Sequence, residues 1–236
     1  MIEIIPAIIP QSPDDLRAHM ALIDGFVPTV QIDVMDGVYT PEASWPYAGD
    51  DDGLFGRILE EEEGFPFWQE MNIEADLMVS HPEEVFEEWI KAGVARIIFH
   101  FESTEKLGEI FDRMDQINPP KDSPLHVGVG LAFKPSTDIS LLEDWIPRVD
   151  YVQCMGNDNI GFHHVELDEE RVIPNIQALR MTFPELPIAV DIGVTTETAP
   201  MLVEAGATRL ISGSAIFEAE DIEGTIAELS SLDEVE

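Results

Sequence analysis

The chain has 236 residues, 44% of them hydrophobic, and 48 acidic residues against 12 basic ones give a formal charge of −36 at pH 7. A field of that sign repels nucleic acids and anionic membranes, so we expect neither as a partner. The single cysteine, Cys154, excludes a disulfide framework, and no apolar run reaches the roughly 18–20 residues of a membrane span.

Apolar, β-branched runs alternate with segments of helical period along the whole sequence. The first predicted strand, 2–9, is followed by a helix that begins after Ser12, because serine suits an N-cap and Pro13 suits the first helical position. Further helices are predicted from about 82 and at 107–114, 139–145, 169–183, 196–204 and 221–229. The later strands are predicted at 29–34, 73–79, 96–101, 126–131, 150–155, 187–191 and 208–212.

These eight strands indicate a single α/β domain over residues 1–236. Continuous apolar runs are typical of parallel strands that are buried on both faces. Eight strand–helix units in a chain of this length predict a closed (β/α)8 TIM barrel. An open doubly wound sheet is the alternative, but no glycine fingerprint follows the first strand.

Residues 39–72 interrupt the alternation between the second and third strands. This insertion carries acidic runs at 50–52 and 60–63, with a short helix predicted around 54–63. Two interpretations stay open: a lid beside the end of the second strand, or a solvated acidic loop.

Polar side chains stand where the predicted strands end. Gln31 and Asp33 share one face of the second strand because they are two residues apart. Asp76 lies near the end of the third strand and Asp191 ends the seventh. Active groups of β/α barrels gather at this rim, and carboxylates there are costly unless they are paired, protonated or bound to a cation.

Several segments carry a family resemblance. They read QIDVMDG at 31–37, DLMV at 76–79, HFE at 100–102, GLAFKPST at 130–137, GF at 161–162, VDIGV at 190–194 and SGSAIF at 212–217. In the same order along the chain, they resemble the strand-end motifs of the ribulose-phosphate 3-epimerases. The resemblance implies an isomerase that epimerises C3 of a ketopentose 5-phosphate through an enediolate. The single cysteine makes a reducing cytoplasm the expected location.

The resemblance also assigns roles to residues. Asp33 and Asp191 match the two aspartates that remove and return the C3 proton on opposite faces of the sugar. Burial among methionines would raise their pKa values, although those methionines could equally be packing residues. The backbone N–H groups of Gly193, Val194, Gly213 and Ser214 match the phosphate-binding segments. The remaining candidate site residues are Gly161 for the substrate and, as lining residues, Met35, Met78, Met155, His163 and His164.

The implied metal site departs from the family. Its two histidine positions are Gln31 and Asp76 here, while Asp33 and Asp191 keep its two aspartates. The resulting set is all oxygen, which favours Mg²⁺ or Mn²⁺ over Zn²⁺. A site without any metal is the alternative.

Two other functions stay open: a phosphosugar lyase or decarboxylase on the same barrel, and a non-catalytic phosphosugar-binding barrel. A homo-oligomer is compatible with each of the three functions. Lyase chemistry usually needs a lysine at the barrel mouth, where only Lys134 is expected. The acidity has two explanations, a high-salt cytoplasm or an acidic surface on an ordinary enzyme.

Overall fold

The computed structural model describes residues 2–49 and 53–234 and contains a closed barrel of eight parallel strands. This confirms the predicted (β/α)8 architecture. Each strand pairs with the next along the chain, and the last pairs with the first. The strands are β1 Glu3–Ile8, β2 Thr29–Met35, β3 Asn72–Met78, β4 Arg96–His100, β5 Gly128–Phe133, β6 Tyr151–Met155, β7 Ile188–Asp191 and β8 Arg209–Ser212.

Helices cover the outside of the barrel. The first begins as predicted, because the Ser12 hydroxyl accepts a hydrogen bond from the Asp15 N–H and Pro13 follows the cap. The α-helices are α1 Pro13–Ile23, α2 Leu54–Leu59, α3 Pro82–Lys91, α4 Leu107–Ile117, α5 Glu169–Thr182, α6 Ala199–Ala205, α7 Ser214–Phe217 and α8 Ile222–Ser230. Short 3₁₀ helices lie at Ile139–Leu142, Ile146–Arg148 and Ser231–Glu234.

Side chains alternate between the two faces of each strand, and this alternation places the polar groups. On β2, Val30 and Ile32 pack outward among the helices, whereas Gln31 and Asp33 point into the barrel. Every residue of β2 is buried, including the polar Gln31 and Asp33 of its inner face.

The N-terminal end of the barrel interior holds a network of charged side chains. The Arg209 guanidinium donates to both Glu74 and Glu3 and lies 3.9 Å from the centroid of the Tyr151 ring. Arg96 donates to Glu3 over 2.8 Å and to Glu74 over 3.4 Å. Glu74 is fully buried, so its charge depends on these arginines for compensation.

Two glycines of β5 make room for this network. A Cβ on Gly130 would lie 2.6 Å from ring atoms of Tyr151, closer than packed atoms approach one another. A Cβ on Gly128 would lie 3.1 Å from Cγ of Arg96. The glycines therefore allow an aromatic ring and a guanidinium stem to share the barrel interior.

The fifth strand is displaced from its predicted bounds of 126–131. The Asn118 side chain bonds both the N–H and the carbonyl of Val127, and the His126 ring contacts Pro119 and Asp150. These side-chain contacts hold residues 126 and 127 outside the sheet. Pairing with β4 begins at Gly128.

Two predicted helices also differ. The helix predicted at 139–145 is a 3₁₀ turn at Ile139–Leu142, and a second 3₁₀ turn that contains Pro147 follows at Ile146–Arg148. The helix predicted at 196–204 begins at Ala199. The N–H groups of Thr195 and Thr198 each donate to the other's hydroxyl, and the Thr198 hydroxyl donates to the Gly193 carbonyl, so these residues form a turn before the helix.

The insertion at 39–72 is largely part of the barrel wall. Trp45 and Phe55 pack with their ring centroids 5.7 Å apart, and Phe55 lies 4.7 Å from Trp89 of α3. Phe65 stacks on the same tryptophan at 6.2 Å. Helix α2 is shorter than the predicted 54–63 and ends before Glu61, which has a φ of 61°. The acidic run 50–52 lies outside the described residues.

The outer wall of β6 contains Cys154. Its side chain is fully buried among the apolar residues between the strand and the helices. Burial raises the pKa of this thiol. Within the described part of the chain, no helix is long and apolar enough to cross a bilayer.

The net charge of −36 predicts a strong dependence of stability on salt. Like charges crowd together in the folded chain, and salt shortens the range of their repulsion from about 10 Å at 0.1 M to about 3 Å at 1 M. We expect the thermal midpoint to rise by roughly 5–10 °C over that range of KCl, measured by circular dichroism near pH 8.

The control is the same titration at about pH 4.5, where carboxylates are partly protonated. The rise in midpoint per step of KCl should be smaller there. An equal rise at both pH values would mean that salt acts on apolar burial and not on the acidic surface.

Candidate active site

Three aspartates meet at the C-terminal mouth of the barrel. Asp33 on β2 lies opposite Asp76 on β3 in the sheet register, and Asp191 is the last residue of β7. Carboxylate oxygens of all three lie within 4.8 Å of one another. Asp33 and Asp191 are each 7% exposed, whereas Asp76 is completely buried. The barrel therefore brings three carboxyl groups together in one largely buried cluster.

Two glutamine amides bridge these carboxylates. Nε2 of Gln31 donates to Asp33 over 2.8 Å and to Asp191 over 2.9 Å. Nε2 of Gln153 donates to Asp76 over 3.1 Å and reaches Asp191 at 3.5 Å. The side-chain carbonyl oxygens of both glutamines are buried and, among the described residues, have no hydrogen-bond partner.

Crowding raises the pKa values of two of the acids. Burial is the largest cause for Asp33, followed by the negative charges of Asp191 and Asp76, and its pKa lies well above the usual range. Burial and the charge of Asp76 raise the pKa of Asp191 to about 7. The raised pKa values favour a pair that shares one proton near neutral pH, which gives an acid and a base side by side.

His100 on β4 is hydrogen-bonded to Asp76. Its Nε2 lies 2.9 Å from Asp76 Oδ1, and both side chains are fully buried. Burial alone would lower the pKa of His100, but the charge of Asp76 and their hydrogen bond raise it. Asp76 is therefore held in place by the ring of His100 on the neighbouring strand.

A cavity of about 890 Å³ opens over the aspartates. Asp33 and Asp191 both line it, together with Met78 and Met155. Among the described residues of its lining, none is a lysine or an arginine. The predicted substrate-binding residues also line it, namely Gly161, His163, His164, Gly193, Val194, Gly213 and Ser214.

Backbone groups provide donors at one side of this cavity. Within the described residues, no backbone acceptor is found for the N–H groups of Gly193, Val194, Gly213 and Ser214. Gly193 has a φ of 71°, and a Cβ there would lie 2.6 Å from the Leu167 nitrogen, so a larger residue would be excluded. These N–H groups can bind an anion without a basic side chain.

A strained residue follows Asp191. Ile192 has a φ of 80°, which is rare for a β-branched side chain. Its backbone N–H lowers the pKa of Asp191 and so opposes the rise that burial causes. A Cβ at Gly156 would lie 1.9 Å from the Ile192 carbonyl oxygen, so β6 and β7 meet closely here. The turn fixes the direction of the Asp191 side chain.

Asp36 lies at the mouth of the barrel, between the loop after β2 and the end of β3. Its carboxylate accepts hydrogen bonds from the N–H groups of Val38 and Tyr39 and from the N–H and hydroxyl of Ser80. Burial opposes ionisation, but the bonds from Ser80 and then Tyr39 and Val38 lower the pKa of Asp36. The loop after β2 is thereby tied to the end of β3.

The structure brings together the predicted ligand set Gln31, Asp33, Asp76 and Asp191. Met35 is fully buried beneath the cavity, in one apolar cluster with Met78 and Met155. His163 and His164 lie on an exposed rim, and His164 is 3.4 Å from Glu218. Gln153 was not among the predicted site residues. Its signal was present in the sequence, a lone amide between Tyr151 and Met155 on the inner face of an otherwise apolar strand.

Known proteins resemble this chain over nearly its whole length. A model described as "Ribulose-phosphate 3 epimerase family" matches residues 3–217. The ribulose-phosphate 3-epimerase of Chlamydia muridarum is 30% identical over 199 residues, which cover 82% of this chain and 78% of the relative. That of Bacillus subtilis is 26% identical over 235 residues, covering 97% and 98%. The crystal structure of KGPDC from Streptococcus mutans has a TM-score of 0.66 at 12% identity, covers 99% of this chain and 98% of that chain, and supports the fold alone.

Proposed function

Because the chain belongs to the ribulose-phosphate 3-epimerase family, we propose that it interconverts ribulose 5-phosphate and xylulose 5-phosphate by inverting C3. Membership of this family makes the protein an isomerase that acts on carbohydrates. The proposal depends on one observation: Asp33 and Asp191 line the same cavity and are bridged by a single nitrogen, Nε2 of Gln31.

The two aspartates carry the proton transfers. One carboxylate removes the C3 proton from its face of the sugar and leaves an enediolate. The other, which is protonated, returns a proton to the opposite face. A pKa of about 7 for Asp191 and a raised pKa for Asp33 suit proton transfer near neutral pH, and the roles exchange in the reverse direction.

The backbone N–H groups of Gly193, Val194, Gly213 and Ser214 hold the phosphate in this proposal. The absence of lysine and arginine from the described lining leaves these dipoles as the main source of positive potential there. It also weighs against a lyase that forms a Schiff base, since Lys134 lies over the Tyr39 ring at 5.5 Å and outside this lining.

A divalent cation fits the aspartate cluster. Asp33, Asp76 and Asp191 offer oxygens within 4.8 Å of one another, and the carbonyl oxygen of Gln31 is buried without a partner among the described residues. An all-oxygen set suits Mg²⁺ or Mn²⁺ better than Zn²⁺. When bound, such a cation would supply positive charge that stabilises an enediolate.

The test is conversion of ribulose 5-phosphate in D₂O, followed by NMR in about 1 M KCl. We expect xylulose 5-phosphate that carries deuterium at C3 from the first turnovers, while recovered substrate stays protiated. Two bases on opposite faces predict this asymmetry. Activity should fall in EDTA and return with Mn²⁺ or Mg²⁺ more fully than with Zn²⁺ if the cation site is used.

Other outcomes would overturn the proposal. Binding of ribulose 5-phosphate without deuterium at C3 would identify a non-catalytic barrel. Cleavage of a carbon–carbon bond, or loss of CO₂ from a related sugar acid, would identify a lyase or decarboxylase on the same barrel.

A further inference from the structure

Gln153 has an unusual position for an uncharged side chain. It is fully buried on the inner face of β6, with Nε2 at 3.1 Å from Asp76 and 3.5 Å from Asp191. Its neighbour along the same face is Met155, whose sulfur lies 3.8 Å from the same nitrogen. The amide thus faces the carboxylate cluster from the side opposite Gln31.

The other end of this amide is unsatisfied. Oε1 of Gln153 is buried and has no partner in the described part of the chain, and Oε1 of Gln31 is in the same situation. A buried polar atom without a partner costs about 1–3 kcal/mol. Two such atoms on two amides that bridge one acidic cluster point to a ligand that would use them.

The charge between the two amides decides which end of each amide faces the carboxylates. The oxygen and nitrogen of a glutamine exchange places when the terminal torsion turns by about 180°. Without a cation, carboxylates favour the N–H end, which is the arrangement observed. With a cation between them, the oxygen end is favoured because it adds a ligand and removes two donors from the positive charge.

We propose that Gln153 is a fifth oxygen donor of the cation site and determines its preference for hard divalent ions. Its amide turns on binding, so that Gln31 and Gln153 complete an all-oxygen set with Asp33, Asp76 and Asp191. Six or more oxygen ligands are typical of Mg²⁺, Mn²⁺ and Ca²⁺, with water filling remaining positions. The inference rests on the proposed function only for the location of the site.

The test measures Mn²⁺ binding directly, by calorimetry and by the electron paramagnetic resonance signal of free Mn²⁺. We compare the parent with Gln153→Met, which keeps the shape of the side chain, and with Gln153→Glu, which keeps an oxygen donor. Gln177→Leu, on the exposed face of α5, is the control for loss of an amide elsewhere. We expect the Kd for Mn²⁺ to rise at least about 10-fold in Gln153→Met and to be restored in Gln153→Glu. Competition with Zn²⁺ should show that the preference for Mn²⁺ declines in Gln153→Met.

The Glu variant separates a ligand from a structural donor. If Gln153 only donates hydrogen bonds to the aspartates, then Glu, which adds a fourth negative charge and donates nothing, should fold and bind less well than Met. Equal Mn²⁺ affinity in Met and parent, no Mn²⁺ binding by the parent at millimolar concentration, or failure of both variants to fold would each overturn the proposal. Because binding is read without substrate, a negative result here is distinct from a negative result for C3 exchange.

Discussion

In an Asp191→Asn variant, the rate of C3 proton exchange is expected to fall by at least about 10³-fold, while the folded state becomes more stable. The amide cannot take the C3 proton, so the reaction loses one of its two proton-transfer groups. The substitution keeps the shape of the side chain, and its oxygen can still accept from Nε2 of Gln31. Activity and stability should therefore change in opposite directions.

The gain in stability follows from the raised pKa. Asp191 ionises near pH 4 in an unfolded chain and at about pH 7 in the fold, so the folded state binds its proton more tightly. The parent consequently loses stability as pH rises from about 4 to 7, and the variant lacks this loss. We expect the free energy of unfolding of the variant to exceed that of the parent by roughly 1–3 kcal/mol at pH 8. Near pH 4 the two free energies should be equal.

Urea unfolding in EDTA at several pH values measures this difference, since a bound cation would stabilise the ionised parent. Asp33→Asn should behave in the same way, because burial and the charges of Asp191 and Asp76 also raise the pKa of Asp33. Asp144→Asn, at an exposed position, is the control and should change neither activity nor stability. Normal exchange in either buried variant would rule out the two-carboxylate mechanism.

An Arg209→Met variant is expected to lose about 3–5 kcal/mol of unfolding free energy. Its guanidinium donates to Glu74 and Glu3 and covers the face of Tyr151. Without it, Glu74 remains fully buried with Arg96 at 3.4 Å as the nearest cation among its described ion pairs. The cost arises chiefly from the uncompensated carboxylate, and lost packing adds to it.

A double variant tests that explanation. Adding Glu74→Met to Arg209→Met removes the unpaired charge, and we expect it to recover most of the loss. Arg113→Met supplies the surface control, because Arg113 pairs with Glu87 in the open and should cost less than about 1 kcal/mol. A double variant as unstable as Arg209→Met would instead assign the cost to packing. All unfolding curves should be recorded in about 1 M KCl.

The fold was predictable because strand order and strand type depend on patterns that are local in sequence. Each apolar run corresponds to one strand, and the absence of a glycine fingerprint after β1 correctly disfavoured an open sheet. The errors lie where side chains from elsewhere compete for the backbone. Asn118 holds Val127 out of β5, and Thr198 closes a turn that delays α6.

The site was predictable in part for a related reason. Strand ends converge on one rim, so Asp33, Asp76 and Asp191 could be expected near one another before their distances were known. The bridging role of Gln153 could not be read, because alternation shows which face a side chain occupies but not which strands it reaches across the barrel. The pairing of His100 with Asp76 depends in the same way on β3 and β4 being neighbours in register.

Because Cys154 is buried, chemical labelling of its thiol can report local opening of the fold. A thiol reagent can reach this sulfur only when β6 separates from the helices around it. The labelling rate therefore measures how often this part of the barrel opens. With one sulfhydryl per chain, each modified molecule records one such event. Covalent dimers formed under oxidising conditions would then come from transiently opened chains and would count them.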